Sequence, residues 1–425
     1  MKLKSYIAYF KKILKVFWGY KSFKAAFYIQ IGFIITSFIL TLIFFRDAND
    51  FLVFYRSAKV FLNNFQQLYN PVEYGSAWEF RYFPLSPIFF IPFYILGFDV
   101  GFVLFTVFNF IVNMLICVIL FRIINMLKPR QTEEEKNNTV YYISVFLIGV
   151  PQLVNYFLGQ INLYVAFLTL LALYIFLKYE SLKWDFIGSI ILGISVILKP
   201  ITVLLIPFLI LISINLKKRQ INFLVKRSIL RLFSAIIPIL LNVIVFIIYP
   251  NLWNGFLEVN FTGSNPTDVS FSFSLTKLIM NFFVYNNISF NQTLIFFIIL
   301  IIFGLTGFLI YVFSGNTKNS ILIGFTFGIL ITFISYFEVW EHHLLTLIPF
   351  TLIFLSILPN NSNISRKFIK PSFYVYNFLN LAFFLIFILT YNFFPYNFGV
   401  TIFLILNFYG IIKYCITKKR NKSDE

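Results

Sequence analysis

Apolar runs of fifteen to more than twenty residues follow one another along the whole chain, separated by short polar breaks. A run of about twenty apolar residues matches the hydrocarbon core of a bilayer, and in lipid the backbone satisfies its polar groups only within helices or a closed barrel. The pattern predicts an all-α polytopic membrane helix bundle, a single integral membrane domain over 1–425. About twelve spans are expected, near 25–45, 101–124, 140–158, 161–177, 185–198, 201–216, 229–249, 291–313, 321–337, 343–358, 373–391 and 397–414. The run from Ala25 to Phe45 lacks a small-residue cleavage site and is expected to stay as the first span. The segment "YFPLSPIFFIPFYILGF" (82–98) departs from the pattern. Pro84, Pro87 and Pro92 interrupt it, so it reads as a juxtamembrane or re-entrant helix.

Two breaks, 46–100 and 250–290, are long for membrane connections, and such segments are where binding and catalytic residues concentrate. In the first, "DFLVFYRSAKVFLNNFQQLYNP" sets Phe51, Phe54, Tyr55, Ala58, Phe61 and Leu62 at helical spacing. That spacing predicts a helix lying on the membrane with Asp50 near its start. On either side of "LKP" (198–200) the runs 185–198 and 201–216 hold only 14 and 16 residues. At 1.5 Å per residue they reach about 21 to 24 Å against a core of about 30 Å, so the connection at Lys199 is expected to be recessed.

Composition agrees with the pattern: 61 of 425 residues are Phe, 12% are charged, and the mean hydropathy is +0.85. The abundance of Phe, Ile, Asn and Lys resembles the coding bias of an AT-rich genome and points to a bacterial plasma membrane. The net charge of +18 raises the question of nucleic acid, but the cations sit in short clusters between apolar runs, without an RNA- or DNA-binding pattern. They read as topology determinants, because short cytoplasmic loops collect Lys and Arg. With 82–98 kept at the outer surface, 28 of the 34 basic residues fall on the cytoplasmic side, and only Arg46, Arg56, Lys59, Arg81, Lys199 and Lys277 fall outside. The inner runs "KPRQTEEEKNN" and "KKRQINFLVKR" read as solvated charge. Cys117 and Cys415, far apart and within or at the end of apolar runs, read as packed thiols without metal spacing.

This topology gathers the candidate chemistry on the outer face. Asp47 and Asp50 stand where the first span ends; a carboxylate there either terminates a helix in solvent or faces a cavity. Gln160 and Asn162 in "GQINLY" (159–164) are multivalent hydrogen-bonding groups suited to sugar hydroxyls or phosphate; the competing reading is a plain helix connection turned at Gly159. Lys199 either snorkels or meets a lipid phosphate from a recessed position, and Arg81 is a second cation for that phosphate. "EVWEHH" holds both histidines of the chain, His342 and His343, beside Glu338 and Glu341. Neighbouring helical residues point about 100° apart, so one His is expected to line a cavity while the other packs. A metal site is set aside, since hard cations need more oxygen ligands and zinc a defined spacing. Tyr82 and Trp340 could stack on a sugar ring, or belong to an aromatic belt. No ionisable residue lies in the middle of a span, which weighs against a transporter or pump.

The segments "DFLVFYRSAKVFLNNFQQLYNP", "FRYFPLSPIFFIPFYIL", "GQINLY", "LKP" and "VWEHHLLTLIPF" occur in the order seen in glycosyltransferase family 87, and from about residue 30 to 355 the chain resembles that family. The resemblance implies a GT-C-like enzyme with juxtamembrane helices in its first outer loop, and an essential Asp there that matches Asp50, with Asp47 the fallback. It implies a polyprenyl-phosphate sugar donor, with mannose the sugar the family suggests, and an inverting single displacement with Asp as general base. It also favours His342 or His343 as a donor to phosphate or acceptor sugar. The 250–290 loop matches no motif of the family.

The expectation is therefore a membrane hexosyltransferase that moves a hexose from a polyprenyl-phosphate carrier to a glycolipid or glycan on the extracytoplasmic face. The expected catalytic residue is Asp50, and the binding residues are Asp47, Arg81, Tyr82, Gln160, Asn162, Lys199, Glu341, His342 and His343. No metal, cofactor or nucleic-acid partner is expected. The rivals are a membrane polysaccharide polymerase or ligase, which leans on late-loop arginines that this chain lacks, and a lipid-linked glycan transporter or flippase.

Overall fold

The computed structural model describes residues 13–75, 77–215, 219–262, 272–314, 318–359, 362–378, 394 and 398–421. The chain is helical nearly throughout. Helix α1 (Lys21–Ile39) ends in a π turn, Leu40–Phe44, and α2 (Asp50–Asn63) opens the first long connection. A 3-10 turn (Ser86–Phe90) and the short α3 (Ile91–Ile95) follow where three prolines predict a broken helix. Then come α4 (Phe98–Leu127), α5 (Glu133–Ile148), α6 (Val150–Leu158), α7 (Asn162–Lys178) and α8 (Leu182–Leu198). A 3-10 stretch (Pro200–Leu209) leads into an antiparallel hairpin, β1 (Ile212–Asn215) with β2 (Gln220–Phe223). The remaining helices are α9 (Val225–Ile248), α10 (Pro250–Leu257), α11 (Leu275–Tyr285), α12 (Gln292–Phe313), α13 (Lys318–Ser335), α14 (Ile348–Ile357), α15 (363–378) and α16 (Gly399–Asn421).

Among the described residues six segments are long and apolar enough to cross a membrane: Lys21–Phe44, Phe98–Leu127, Glu133–Leu158, Val225–Ile248, Gln292–Phe313 and Gly399–Thr417. Others are shorter, α7 and α8 having 17 residues each. The expected span at 373–391 and part of the 250–290 connection lie largely outside the described residues.

Three expectations are corrected. The run 201–216 is not a helical span: Pro200 and Pro207 deny it backbone donors, and it forms the 3-10 stretch and the first strand of the hairpin. The basic run "KKRQINFLVKR" is not merely solvated. It supplies β2, and its last residue, Arg227, turns inward with Arg231 onto Asp185, which is 0% exposed. Arg227 Nε donates to Asp185 Oδ2 at 2.6 Å, and Arg231 Nη2 donates to Oδ1 at 2.6 Å. "KPRQTEEEKNN" is likewise structured, with Thr132 and Glu135 forming a capping box on α5 and Lys128 pairing with Glu135 at 2.8 Å. The third correction concerns α2. Its apolar side is covered by protein: Phe51 and Ala58 are 0% exposed, and Phe54 stacks on Phe90 at 4.4 Å.

That packing makes the first long connection a folded cap with a core of its own. Val53, Val60, Leu68, Tyr74 and Phe80 cluster with Phe246 of α9 and with Leu252 and Phe256 of α10. Tyr69 Oη donates to the carbonyl of Tyr82 at 2.7 Å, and Tyr74 Oη to that of Leu68 at 2.7 Å. Below the cap a buried polar cluster ties four helices, α1, α4, α5 and α6, together. Tyr156 Oη donates to Gln30 Oε1 at 2.7 Å, Asn113 Nδ2 donates to Gln152 Oε1 at 3.0 Å, and Gln30 also reaches the carbonyl of Leu147.

Candidate functional site

The start of α2 is fixed by Asn49, which sequence reasoning passed over. Its Oδ1 accepts from the backbone N–H of Leu52 at 2.9 Å, while its Nδ2 donates to the carbonyls of Phe45 and Arg46 at 2.8 and 2.9 Å. Asn49 is therefore the N-cap, and Asp50 is the first residue of the helix, where the partial positive charge of the helix end favours a carboxylate. The signal was available as an Asn immediately before an amphipathic run. Asp47 is exposed in the turn ahead of this cap.

The junction of α6 and α7 comes up against Asp50. Gly159 ends α6 at φ 66, in the left-handed region, and a β-carbon there would stand 2.5 Å from Phe51 Cβ. Only a glycine lets the two chains approach this closely. The turn aims Gln160 at α2, and its Nε2 donates to Asp50 Oδ2 at 2.6 Å. On the other side, Lys199 Nζ, at the junction after α8, donates to Asn162 Oδ1 at 2.9 Å and reaches Gln160 Oε1 at 3.4 Å. Asn155, also missed from sequence, orders the turn: its Nδ2 donates to the Gln160 carbonyl at 3.1 Å, and its Oδ1 accepts from Asn162 at 3.3 Å. The result is a line from carboxylate to amide to ammonium across three helix junctions at one end of the bundle.

The surroundings are dry. Lys199 is 5% exposed, and burial lowers its ammonium pKa to about 7 despite the nearby Asp50. Burial raises the Asp50 carboxyl, an effect opposed by the hydrogen bond from Gln160 and the charge of Lys199. Tyr82 stands close to both Asp50 and Gln160, with its ring 5.3 Å from Phe54.

The turn Glu341–Thr346 brings in the histidines, both 7% exposed. His343 Nδ1 accepts from the backbone N–H of Trp340 at 3.1 Å and so caps its own turn, whereas His342 Nδ1 is buried without a hydrogen-bond partner. Burial and the charge of Lys199 hold both imidazoles well below their usual pKa, hence neutral. Burial raises the Glu341 carboxyl. Arg81 forms an ion pair with Glu338, linking the cap to the segment that leads to the histidines.

The structure thus brings together Asp50, Tyr82, Gln160, Asn162 and Lys199, sets the histidines within electrostatic range of Lys199, engages Arg81 with Glu338, and leaves Asp47 exposed. Among the described residues no group of three or more His, Cys, Asp or Glu could hold a metal ion. A cleft of about 170 Å³ between Gln66 and Ile248–Leu252 shares no residue with this cluster.

No curated protein and no solved structure matches the chain. A family model for glycosyltransferase family 87 matches residues 80–334, more than half of the 425 residues. Asp50 and the His pair lie outside the matched stretch and adjoin it through Gln160 and Lys199. That stretch contains both helix junctions that present the amides and the lysine, and on this match the chain belongs to glycosyltransferase family 87, a membrane glycosyltransferase family.

Proposed function

We propose that the protein transfers a hexose from a polyprenyl-phosphate carrier to a glycolipid or glycan acceptor on the extracytoplasmic face of a bacterial plasma membrane. The observation that carries this reading is the hydrogen-bonded line Asp50–Gln160–Lys199. It sets a proton acceptor and a cation on either side of one amide, as inverting transfer from a lipid phosphate requires. Mannose is the donor sugar that the sequence resemblance favours.

In this scheme the acceptor hydroxyl oxygen attacks the anomeric carbon while Asp50 takes its proton. The new C–O bond forms as the bond from the anomeric carbon to the phosphate oxygen breaks, and the polyprenyl phosphate leaves with the electron pair. Lys199 offsets the charge that grows on the leaving phosphate. Gln160 holds Asp50 and Lys199 at a fixed separation, and Asn162 keeps the lysine oriented. Two features support the scheme: burial makes Asp50 a stronger base, and the hydrogen bonds of Lys199 go to the neutral amides of Gln160 and Asn162, which a phosphate can outcompete. The scheme assigns His342, with an unengaged Nδ1, a further contact to phosphate or acceptor sugar, and assigns Tyr82 and Glu341 contacts to the sugar.

Membranes carrying Asp50→Asn at matched protein level are expected to transfer radiolabelled sugar from polyprenyl-phosphate hexose about 10² to 10⁴-fold more slowly, the usual contribution of a general base. Asp47→Asn is expected to have little effect. Full activity in Asp50→Asn would remove the base from the scheme. Transport of a lipid-linked glycan without formation of a glycosidic bond would favour the flippase instead.

A further inference from the structure

The β1–β2 hairpin lies at the opposite end of the bundle from Asp50. Ile212 pairs with Phe223 and Ile214 with Ile221, so four apolar side chains share one face, while Ser213, Gln220 and Asn222 share the other. Ile212 and Ile214 pack against the helical core. Their partners do not: Ile221 is 67% exposed and Phe223 47%. The apolar ledge continues through Leu224 and along α9, where Val225, Ile229 and Phe233 recur every four residues, all exposed.

Cations border this ledge. Arg219, in the hairpin turn at φ 47, and Lys226, in the first turn of α9, are exposed. Arg227 and Arg231 are excluded from the count because Asp185 holds both. Lys178 at the end of α7 and Lys183 in the first turn of α8 are exposed as well, and the connection between these helices carries one acidic residue, the exposed Glu180. The ledge therefore joins exposed aliphatic and aromatic groups to a surplus of positive charge, at the foot of a helix long enough to cross a bilayer.

We infer that the hairpin and the start of α9 dock on anionic lipid headgroups, with Ile221 and Phe223 entering the upper acyl chains and Arg219 and Lys226 meeting the lipid phosphates. Charge complementarity selects this occupant, since an apolar ledge bordered by cations meets acyl chain and phosphate in the order in which a leaflet presents them. The inference rests on the spanning helix and the hairpin, and is independent of the roles given to Asp50 and Lys199.

The test uses the full chain purified from nanodiscs of mixed phosphatidylglycerol and phosphatidylcholine, with the lipids it retains counted by native mass spectrometry. Wild type is expected to retain phosphatidylglycerol in excess of its share. Affinity is expected to fall about fivefold for each cation removed in Arg219→Gln and Lys226→Gln, and Ile221→Ser with Phe223→Ser is expected to lower retention of both lipids. Raising salt from 0.1 to 1 M should erase the preference in the unaltered protein, a measurement that needs no variant. Undiminished phosphatidylglycerol preference in the Arg219→Gln, Lys226→Gln protein, or its persistence at high salt, would overturn the inference. So would a dimer that Phe223→Ser abolishes and salt leaves intact, which would assign the ledge to a second copy of the chain.

Discussion

Replacing Gln160 with Met removes both ends of the amide bridge while keeping an unbranched side chain of similar volume, and the proposed mechanism gives this change a sign and a size. Asp50 loses the donor at 2.6 Å that stabilises its ionised form, in a place where burial already raises its carboxyl pKa. A hydrogen bond to a charged group is worth about 1.5 to 3 kcal/mol, and one pKa unit corresponds to about 1.4 kcal/mol. The carboxyl should therefore rise by a further one to two units, approximately. Asp50 must be ionised to take the acceptor proton, so kcat/KM climbs with pH through this pKa, and the acid limb of the profile should move upward by the same amount. Sugar transfer followed from pH 4 to 9 in detergent-solubilised enzyme would read it. Near the top of the profile the variant should recover much of its rate, because the base itself remains. An acid limb that stays in place while the rate falls evenly at every pH would refute the argument and leave Gln160 as a substrate contact alone.

Two further outcomes follow from other features of the structure. Lys199, with its pKa lowered to about 7, is charged below that pH and neutral above it, so kcat/KM should fall as pH rises through about 7; Lys199→Arg should abolish this descending limb, and a limb common to both proteins would belong to another group. Asp185→Asn leaves Arg227 and the buried Arg231 without their shared carboxylate, which should cost about 3 to 5 kcal/mol, as breaking one side of a buried pair does, and appear as a lower thermal midpoint in detergent; an unchanged midpoint would show the cluster to be hydrated.

The residues that chain-local chemistry marks were readable in sequence, and those that depend on distant partners were not. Gly159 before Gln160 announces itself, because a left-handed turn leaves a local trace; the recess expected at Lys199 rested on two short helical spans, one of which is a 3-10 stretch and a strand, and its burial comes from packing instead. Asn49 left a trace too, as an Asn immediately before an amphipathic run. The engagement of Arg81 by Glu338 spans 257 positions and leaves no local trace. The same holds for Asp185 and Arg227, 42 apart, which is why a basic run that looks solvated turns out to anchor a buried acid. The hairpin was missed for another reason: an unbroken apolar run has no period that separates strand from helix, and only the prolines at 200 and 207 spoke against a span.

The buried cluster around Gln30 has a consequence for how the protein is made. Only 17% of the apolar window of the first span is buried in the bundle, so Gln30 joins a small set of groups, with Phe23 and Ala26 in the core and Thr41 on the carbonyl of Phe157, that hold this span to its neighbours. Its partner Tyr156 lies 126 residues downstream, and at about 5 to 20 residues per second the ribosome needs roughly 6 to 25 s to supply it. Until Asn113 emerges, 83 residues after Gln30, α1 holds an amide in lipid with neither Asn113 nor Tyr156 to receive it. The helix must then wait beside the insertion machinery or settle shallowly in the membrane, and it locks into place only when α4 and α6 arrive, so the assembly of the bundle is timed by its sixth helix.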